Sequence, residues 1–284
     1  MRIRPLRLPE DRQPVLEFLR GRRTQLSENK HAFLEPGDGR RGAGILAESG
    51  GSPAGYAGLA PASAQAEWAM ELVADREAVD PLAEAAMEEA LRRGARRLRW
   101  WTYDEASTGY PRRHGFRPER ELLRMGRALP ANEAPVWGAA RVAGFRPGTD
   151  EDAWLEVNNA AFAGHPENGS LTVEDLARRM RTRWFDPEGL RMAWEKGRLA
   201  GFCWTKVHGR EEGEIYIIGV HPRFQGRGLG RALVLEGMRW LSDHGCDRVF
   251  LYTEGSNRGA VALYRDLGFQ VERIHRAFTR DLGA

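Results

Sequence analysis

Cysteine is almost absent from this 284-residue chain: Cys203 and Cys246 are the only two. Two thiols without metal-ligand spacing exclude a disulfide framework and a cysteine-bound metal, so both are expected to be buried and no metal is expected. Long apolar runs are missing as well. No stretch approaches the roughly 20 residues of a membrane span, and the opening MRIRPLRLPEDRQP lacks the apolar core of a signal peptide. A cytoplasmic location without a membrane partner is therefore expected. Lysine is scarce, with Lys30, Lys196 and Lys206 standing among 43 basic residues, and the net charge is only +3. The arginines are dispersed; in LRRGARRLR they alternate with apolar positions, as a solvated helix running into a strand would. No nucleic-acid partner is expected, and the chain is expected to be a monomer.

The chain does have apolar content, 42% of its residues, enough for two domains of roughly 140 residues each to bury separate cores. Internal similarity recurs at a spacing of roughly 145 to 150 residues. IRPLRLPEDRQPVLEFL resembles FRPGTDEDAWLEVNNAAF, PAGYAGLAP resembles LAGFCWTKV, and RRHGFRPERELLRMGRAL resembles RDLGFQVERIHRAFTRDL, all in the same order. Tandem copies of one domain follow, with boundaries at 1–132 and 141–284 and a joint in the aperiodic LPANEAPVWGAA. In the second copy the periodicity predicts strands over RMAWEK, LAGFCWTKV, EIYIIGV, DRVFLYTE and FQVERIHRAFTRDL. It predicts helices over RALVLEGMRWLSDHG and NRGAVALYRDLG. The fold class is α/β, a mixed sheet flanked by helices.

Between a strand ending at Val220 and a helix stands GVHPRFQGRGLGRAL. Glycines permit positive φ and clear side chains from the backbone, so successive N–H groups and the helix N-terminus can face a phosphate. Arg223, Arg227 and Arg231 add charge. No Gly-Lys-Ser/Thr follows, which excludes a P-loop, and the dinucleotide G-x-G-x-x-G context is missing.

The spelling Gln225-x-x-Gly228-x-Gly230, followed by NRGAVALYRDLGF, resembles the GCN5-related N-acetyltransferase family. That resemblance implies acetyl-CoA as acetyl donor, with its pyrophosphate on Gln225, Gly226, Arg227, Gly228, Leu229, Gly230 and Arg231. It implies further contacts from Ile218, Gly219 and Val220 on a strand splayed from its neighbour, and from Asn257, Ala260 and Tyr264 on the later helix. NNAAFAGHPENGSLTVEDL, RWFDPEGL, GFCWTKVH and GEIYIIGVHP resemble, more narrowly, the mycothiol synthase family. Those are tandem-domain enzymes of actinobacteria that acetylate the cysteine amine of cysteinyl-glucosaminyl-inositol.

Acetyl transfer to an amine needs a deprotonated nucleophile, a positioned thioester and a proton for the leaving thiolate. The resemblance implies Glu214 as general base, Tyr264 as general acid and a backbone N–H, that of Val220, as oxyanion donor. By position alone Glu214 could equally be a solvated hairpin acid beside Glu211 and Glu212, and Tyr264 could be core packing. For the small-molecule amine acceptor the resemblance implies Glu167, Lys206, Glu214 and Tyr252. His165 and His208 lie near these and have no role beyond supporting hydrogen bonds.

The first copy departs from the pattern. LVADREAVDPLAEAAMEEAL stands where the loop would be, without its Gln or glycines, and Asp75, Glu77 and Asp80 would repel a pyrophosphate. A degenerate, structural domain that walls the acceptor cleft with residues from SENKHAFLEPG is expected. Two other readings stay open: a tandem acetyltransferase for another small amine, such as an aminoglycoside-like compound, and an acetyl-CoA-binding module without turnover.

Overall fold

The computed structural model describes residues 1–21, 42–62, 66–165, 168–209 and 211–283. SENKHAFLEPG and Glu167 lie outside the described residues. The chain divides into two compact units, Met1–Leu122 with Ile274–Ala284, and Leu123–Arg273.

The first unit contains β1 (Arg2–Pro5), α1 (Arg12–Gly21), β2 (Ala43–Ser49), β3 (Ser52–Pro61), β4 (Glu67–Ala74), α2 (Val79–Arg92), β5 (Arg97–Thr102), α3 (Gly109–Arg113) and the start of β6 (Arg117–Ala128). Its strands run in the order β1-β2-β3-β4-β5-β12, where β12 (Gln270–Asp281) is the last strand of the chain. The β4/β5 pair is parallel, from Glu67↔Arg97 to Glu71↔Trp101, and β12 lies antiparallel to β5. Phe278 and Leu282 from the C-terminal segment are buried with Leu59, Met70, Leu82 and Leu98 in this unit's core.

The second unit contains the end of β6, then β7 (Arg141–Ala143), α4 (Glu151–Ala161), α5 (Val173–Met180), β8 (Leu190–Glu195), β9 (Arg198–His208), β10 (Glu212–Val220), α6 (Leu229–Asp243), β11 (Arg248–Glu254) and α7 (Arg258–Asp266). The strand order is β6-β11-β10-β9-β8-β7. The expected strands and helices of this copy are all present, with ends displaced by one or two residues. The segment division differs from the contiguous domains 1–132 and 141–284. The end of β12 completes the first unit and the end of β6 belongs to the second, because each strand satisfies its backbone groups on a neighbour from the other copy's stretch of sequence.

Alternation along β9 separates the two faces of the second sheet. Phe202 and Trp204 point toward α4, where both pack on Trp154 at centroid distances of 5.0 and 5.5 Å. All three rings are fully buried, and pairs of this kind add about 0.5–1.5 kcal/mol beyond the area they bury. Gly201, Cys203 and Thr205 point toward α6. Gly237 is what lets that helix lie so close, since a Cβ there would stand 2.6 Å from Cys203 Sγ. Cys203 and Cys246 are both buried and unbridged, as expected, and burial pushes both thiols above the usual range. At the start of α4, the buried Asp150 carboxylate accepts the Arg146 backbone N–H (2.8 Å) and its guanidinium (2.7 Å). Thr172 and Asp175 close a capping box on α5. No helix among the described residues is long and apolar enough to cross a membrane.

Gly237→Val inserts atoms between α6 and β9, and overpacking of this kind costs about 1–3 kcal/mol. Urea titration is expected to show that loss, whereas an unchanged midpoint would mean the helix does not depend on the close approach.

Candidate active site

The site begins where two parallel strands part. β10 pairs with β11 from Glu212↔Arg248 through Ile215↔Leu251, yet β10 continues to Val220 and β11 to Glu254. At the parting the register of β10 on β9 slips between Ile215 and Ile217, so Tyr216 forms a bulge that bends the strand. The His221 N–H is bonded to Ala200 O on β9 (2.9 Å). Since N–H directions alternate along a strand, those of Ile218 and Val220 point to the open side, away from β9. The Val220 carbonyl points there too, and accepts a hydrogen bond from Gln225 Nε2 at 3.1 Å.

The glycine-rich loop follows directly. Gly226 and Gly228 have φ of +76° and +78°, left-handed values that other residues adopt at a cost. A Cβ at either would meet nothing within 4 Å, so backbone conformation and not crowding demands glycine. Gly228 caps α6 without a side-chain oxygen, and the first-turn N–H groups of Leu229, Gly230 and Arg231 have no partner within the helix. The loop therefore presents a row of donors at the positive end of a 15-residue helix. Arg231 ion-pairs with Glu133 (2.8 Å) and Arg227 lies 3.5 Å from Glu195. Asn257 spends its side-chain oxygen on the Ala260 N–H (3.2 Å) as the cap of α7.

The polar chemistry gathers on the α4 face of the sheet. Lys206 on β9, Glu214 on β10 and Phe250 on β11 are register partners, and alternation adds His208, Glu212 and Tyr252 to the same face. Glu214 is 8% exposed, and its Oε2 lies 2.7 Å from His208 Nε2. The Lys206 ammonium sits over the rings of Trp184 (4.8 Å) and Tyr216 (6.0 Å). Burial lowers its hold on the proton, and the charge of Glu214 opposes that. Arg124 reaches in from β6 with its guanidinium 4.0 Å above the Phe250 ring, bonding Glu212 at 2.5 Å and also Glu272. Burial raises the Tyr252 hydroxyl above the ordinary tyrosine range, which the Arg124 cation opposes.

Tyr264 lies on the other face. Burial, followed by the nearby Cys203 sulfur, pushes its hydroxyl well above the usual range, and Cys203 faces α6. Glu214 and Tyr264 thus stand on opposite faces of one sheet, and the parting of β10 from β11 opens a way between them. Lys206, Glu214 and Tyr252 come together; Glu167 lies outside the described residues. His165 serves the local turn, its Nδ1 accepting the Asn168 N–H at 3.3 Å. His208, Arg124, Trp184 and Tyr216 join this face without a sequence motif that marks them for it. Alternation from Lys206 could have placed His208 on this face. Nothing local could have found Arg124, which is 88 residues from Glu212 in the chain. Among the described residues no group of three or more His, Cys, Asp or Glu side chains could hold a metal ion.

Residues 154–269 match the model of the acetyltransferase (GNAT) family, the class of protein that this parted sheet and loop define. A tandem GNAT protein from the clavulanic acid biosynthesis pathway has the same fold, with a TM-score of 0.74 at 16% identity, covering 100% of this chain and 99% of that one. The mycothiol acetyltransferase of Catenulispora acidiphila is 43% identical over 239 residues, 79% of this chain and 76% of that protein. That of Thermomonospora curvata is 42% identical over 250 residues, 86% of this chain and 83% of that protein. The chain belongs to the mycothiol acetyltransferase family.

Removing Arg124 strands the partly exposed Glu212, while Glu272 keeps Arg248, so the cost is smaller than for a fully buried pair, about 1–3 kcal/mol. Thermal melts of Arg124→Met are expected to show it, with part recovered on adding Glu212→Gln. No recovery would mean that the arginine acts through packing on Phe250 alone.

Proposed function

We propose that this chain is an acetyl-CoA-dependent N-acetyltransferase that acetylates the cysteine amine of cysteinyl-glucosaminyl-inositol. The observation that carries the reading is the parting of β10 from β11, with a carboxylate on one face, a protonated phenol on the other and a donor-rich glycine loop at its end. Acetyl-CoA is the acetyl donor substrate. Gly226, Gly228, Leu229, Gly230 and Arg231 hold its pyrophosphate with backbone N–H groups, while Gln225 braces the loop to Val220. Arg227 adds charge, and Ile218, Gly219, Val220, Asn257 and Ala260 line the path of the pantetheine arm.

Glu214 takes the proton from the acceptor amine as the C–N bond forms. The Val220 N–H, pointing to the open side, stabilises the charge that develops on the carbonyl oxygen. The C–S bond breaks, and Tyr264, kept protonated by burial, gives its proton to the leaving sulfur. Lys206, Tyr252 and Glu167 bind the polyol acceptor. The sharing of one face by Lys206, Glu214 and Tyr252 supports a hydroxyl-rich amine as substrate.

The first unit is proposed to hold no second acetyl donor. No glycine occurs from residue 74 to 90, and Asp80, in the first turn of α2, is engaged by Arg113 (3.1 Å) and His114 (3.0 Å). Burial works against the ionised Asp80, but these hydrogen bonds hold its carboxyl below the usual range. The cavity there, about 640 Å³, is lined by this acid together with Arg76, Tyr110 and Arg113.

Free thiol release from acetyl-CoA, corrected for the acceptor's own thiol, tests the substrate. Turnover with cysteinyl-glucosaminyl-inositol is expected. Turnover only with aminoglycoside-like or other amines would remove that acceptor, and binding of acetyl-CoA without any turnover would leave a binding module. Glu214→Gln is expected to lower turnover by about 10²–10⁴-fold while acetyl-CoA affinity stays nearly constant; an unchanged rate rules out Glu214 as base. Calorimetry is expected to give one acetyl-CoA per chain, and a stoichiometry of two would restore a donor site to the first unit.

A further inference from the structure

A general base works only if its carboxylate is held in one orientation, and a glutamate on a strand has three rotatable bonds to restrain. Backbone pairing fixes where Glu214 starts but not how its carboxylate is turned. Of its two flanking register partners, Lys206 contributes its charge. Phe250 has no polar atom, and Lys206 extends its ammonium over Trp184 and Tyr216. Glu212, the other acid on this face, is engaged by Arg124.

His208 meets the carboxylate directly. It ends β9 opposite Glu212, on the same face as Lys206, and its Nε2 stands 2.7 Å from Glu214 Oε2. Its own orientation is fixed from a second direction. The imidazole packs on Phe250 with ring centroids 5.4 Å apart and planes inclined by 41°, and Phe250 carries the Arg124 guanidinium at 4.0 Å. The histidine is anchored by a ring that is itself anchored. With Glu214 ionised, Nε2 carries the hydrogen and donates it.

We propose that His208 is a positioning residue for this reaction: its Nε2–H holds Oε2 of Glu214 and thereby fixes Oε1 as the oxygen that receives the amine proton. The inference rests on the reading of Glu214 as base. No proton passes to the imidazole. One N–H of the amine goes to Oε1, and the hydrogen on Nε2 remains where it is throughout.

The test is a double-mutant cycle on the full chain with acetyl-CoA and cysteinyl-glucosaminyl-inositol, comparing His208→Phe, Glu214→Gln and the double variant. His208→Phe keeps a ring on Phe250 and removes the donor, and His208→Gln keeps an N–H donor. Melting temperatures near that of the parent protein identify variants that have folded. His208→Phe is expected to lower kcat by about 10- to 100-fold with the KM for acetyl-CoA unchanged. His208→Gln is expected to recover most of that loss. In the Glu214→Gln background the His208→Phe change is expected to have no further effect. Full activity of His208→Phe, or an equal fractional loss in both backgrounds, overturns the positioning role while leaving Glu214 as base. A parental rate for Glu214→Gln overturns the base assignment, and this proposal with it.

Discussion

Everything distinctive in the second unit depends on two parallel strands ceasing to pair. Past Ile215 and Leu251 the backbone groups of β10 that face β11 lose their ladder partners, and unpaired backbone groups are costly unless something else meets them. The protein meets one of them itself, through Gln225 and the Val220 carbonyl. The remaining donors lie along an opening that leads from the polar face of the sheet to the face covered by α6. A bulge at Tyr216 supplies the bend that a regular strand would resist. Because the opening runs through the sheet, a carboxylate and a phenol stand on either side of it, each in its own surroundings.

The polar face shows how several charges can share a partly buried patch. Arg124, Lys206 and Glu214 are all under 9% exposed, a state that costs several kcal/mol per ion if left unmatched. Each is matched differently. Arg124 is shared between two carboxylates and a ring, Lys206 has aromatic faces and the field of Glu214, and Glu214 has the imidazole. Trp204, edge-to-face on the buried Trp154, also packs on Trp184 and Tyr216, the rings that carry the Lys206 ammonium. Packing here serves orientation as much as stability.

Much of this was legible in the chain itself. The alternation in LAGFCWTKV and EIYIIGV and the glycines before RALVLEGM locate β9, β10, the loop and α6 to within two residues. Local pattern is what strands and helices are made of, so it could be read. The exchange of final strands was not legible, for a physical reason. RRHGFRPERELLRMGRAL and RDLGFQVERIHRAFTRDL carry the same pattern because the copies are related, so either could complete either sheet, and only tertiary pairing decides. The surroundings of Glu214 were half legible. Lys206 and His208 are two residues apart on one strand, whereas Arg124 arrives from a strand far away in sequence.

In the first unit β4 also pairs with a parallel neighbour only part of the way, to Glu71↔Trp101, while continuing to Ala74. Parted strands are therefore a property of the shared plan. What differs is the turn that follows. In the second unit two left-handed glycines lead into a helix whose first turn has no side-chain cap. In the first, Asp75 and a short 3-10 turn lead into α2, and Asp80 sits within its first turn. That carboxylate makes no cap hydrogen bond to the helix and is engaged instead by Arg113 and His114. The parted strands are common to both copies, whereas two left-handed glycines ahead of an uncapped helix follow them in the second and an aspartate with a 3-10 turn in the first.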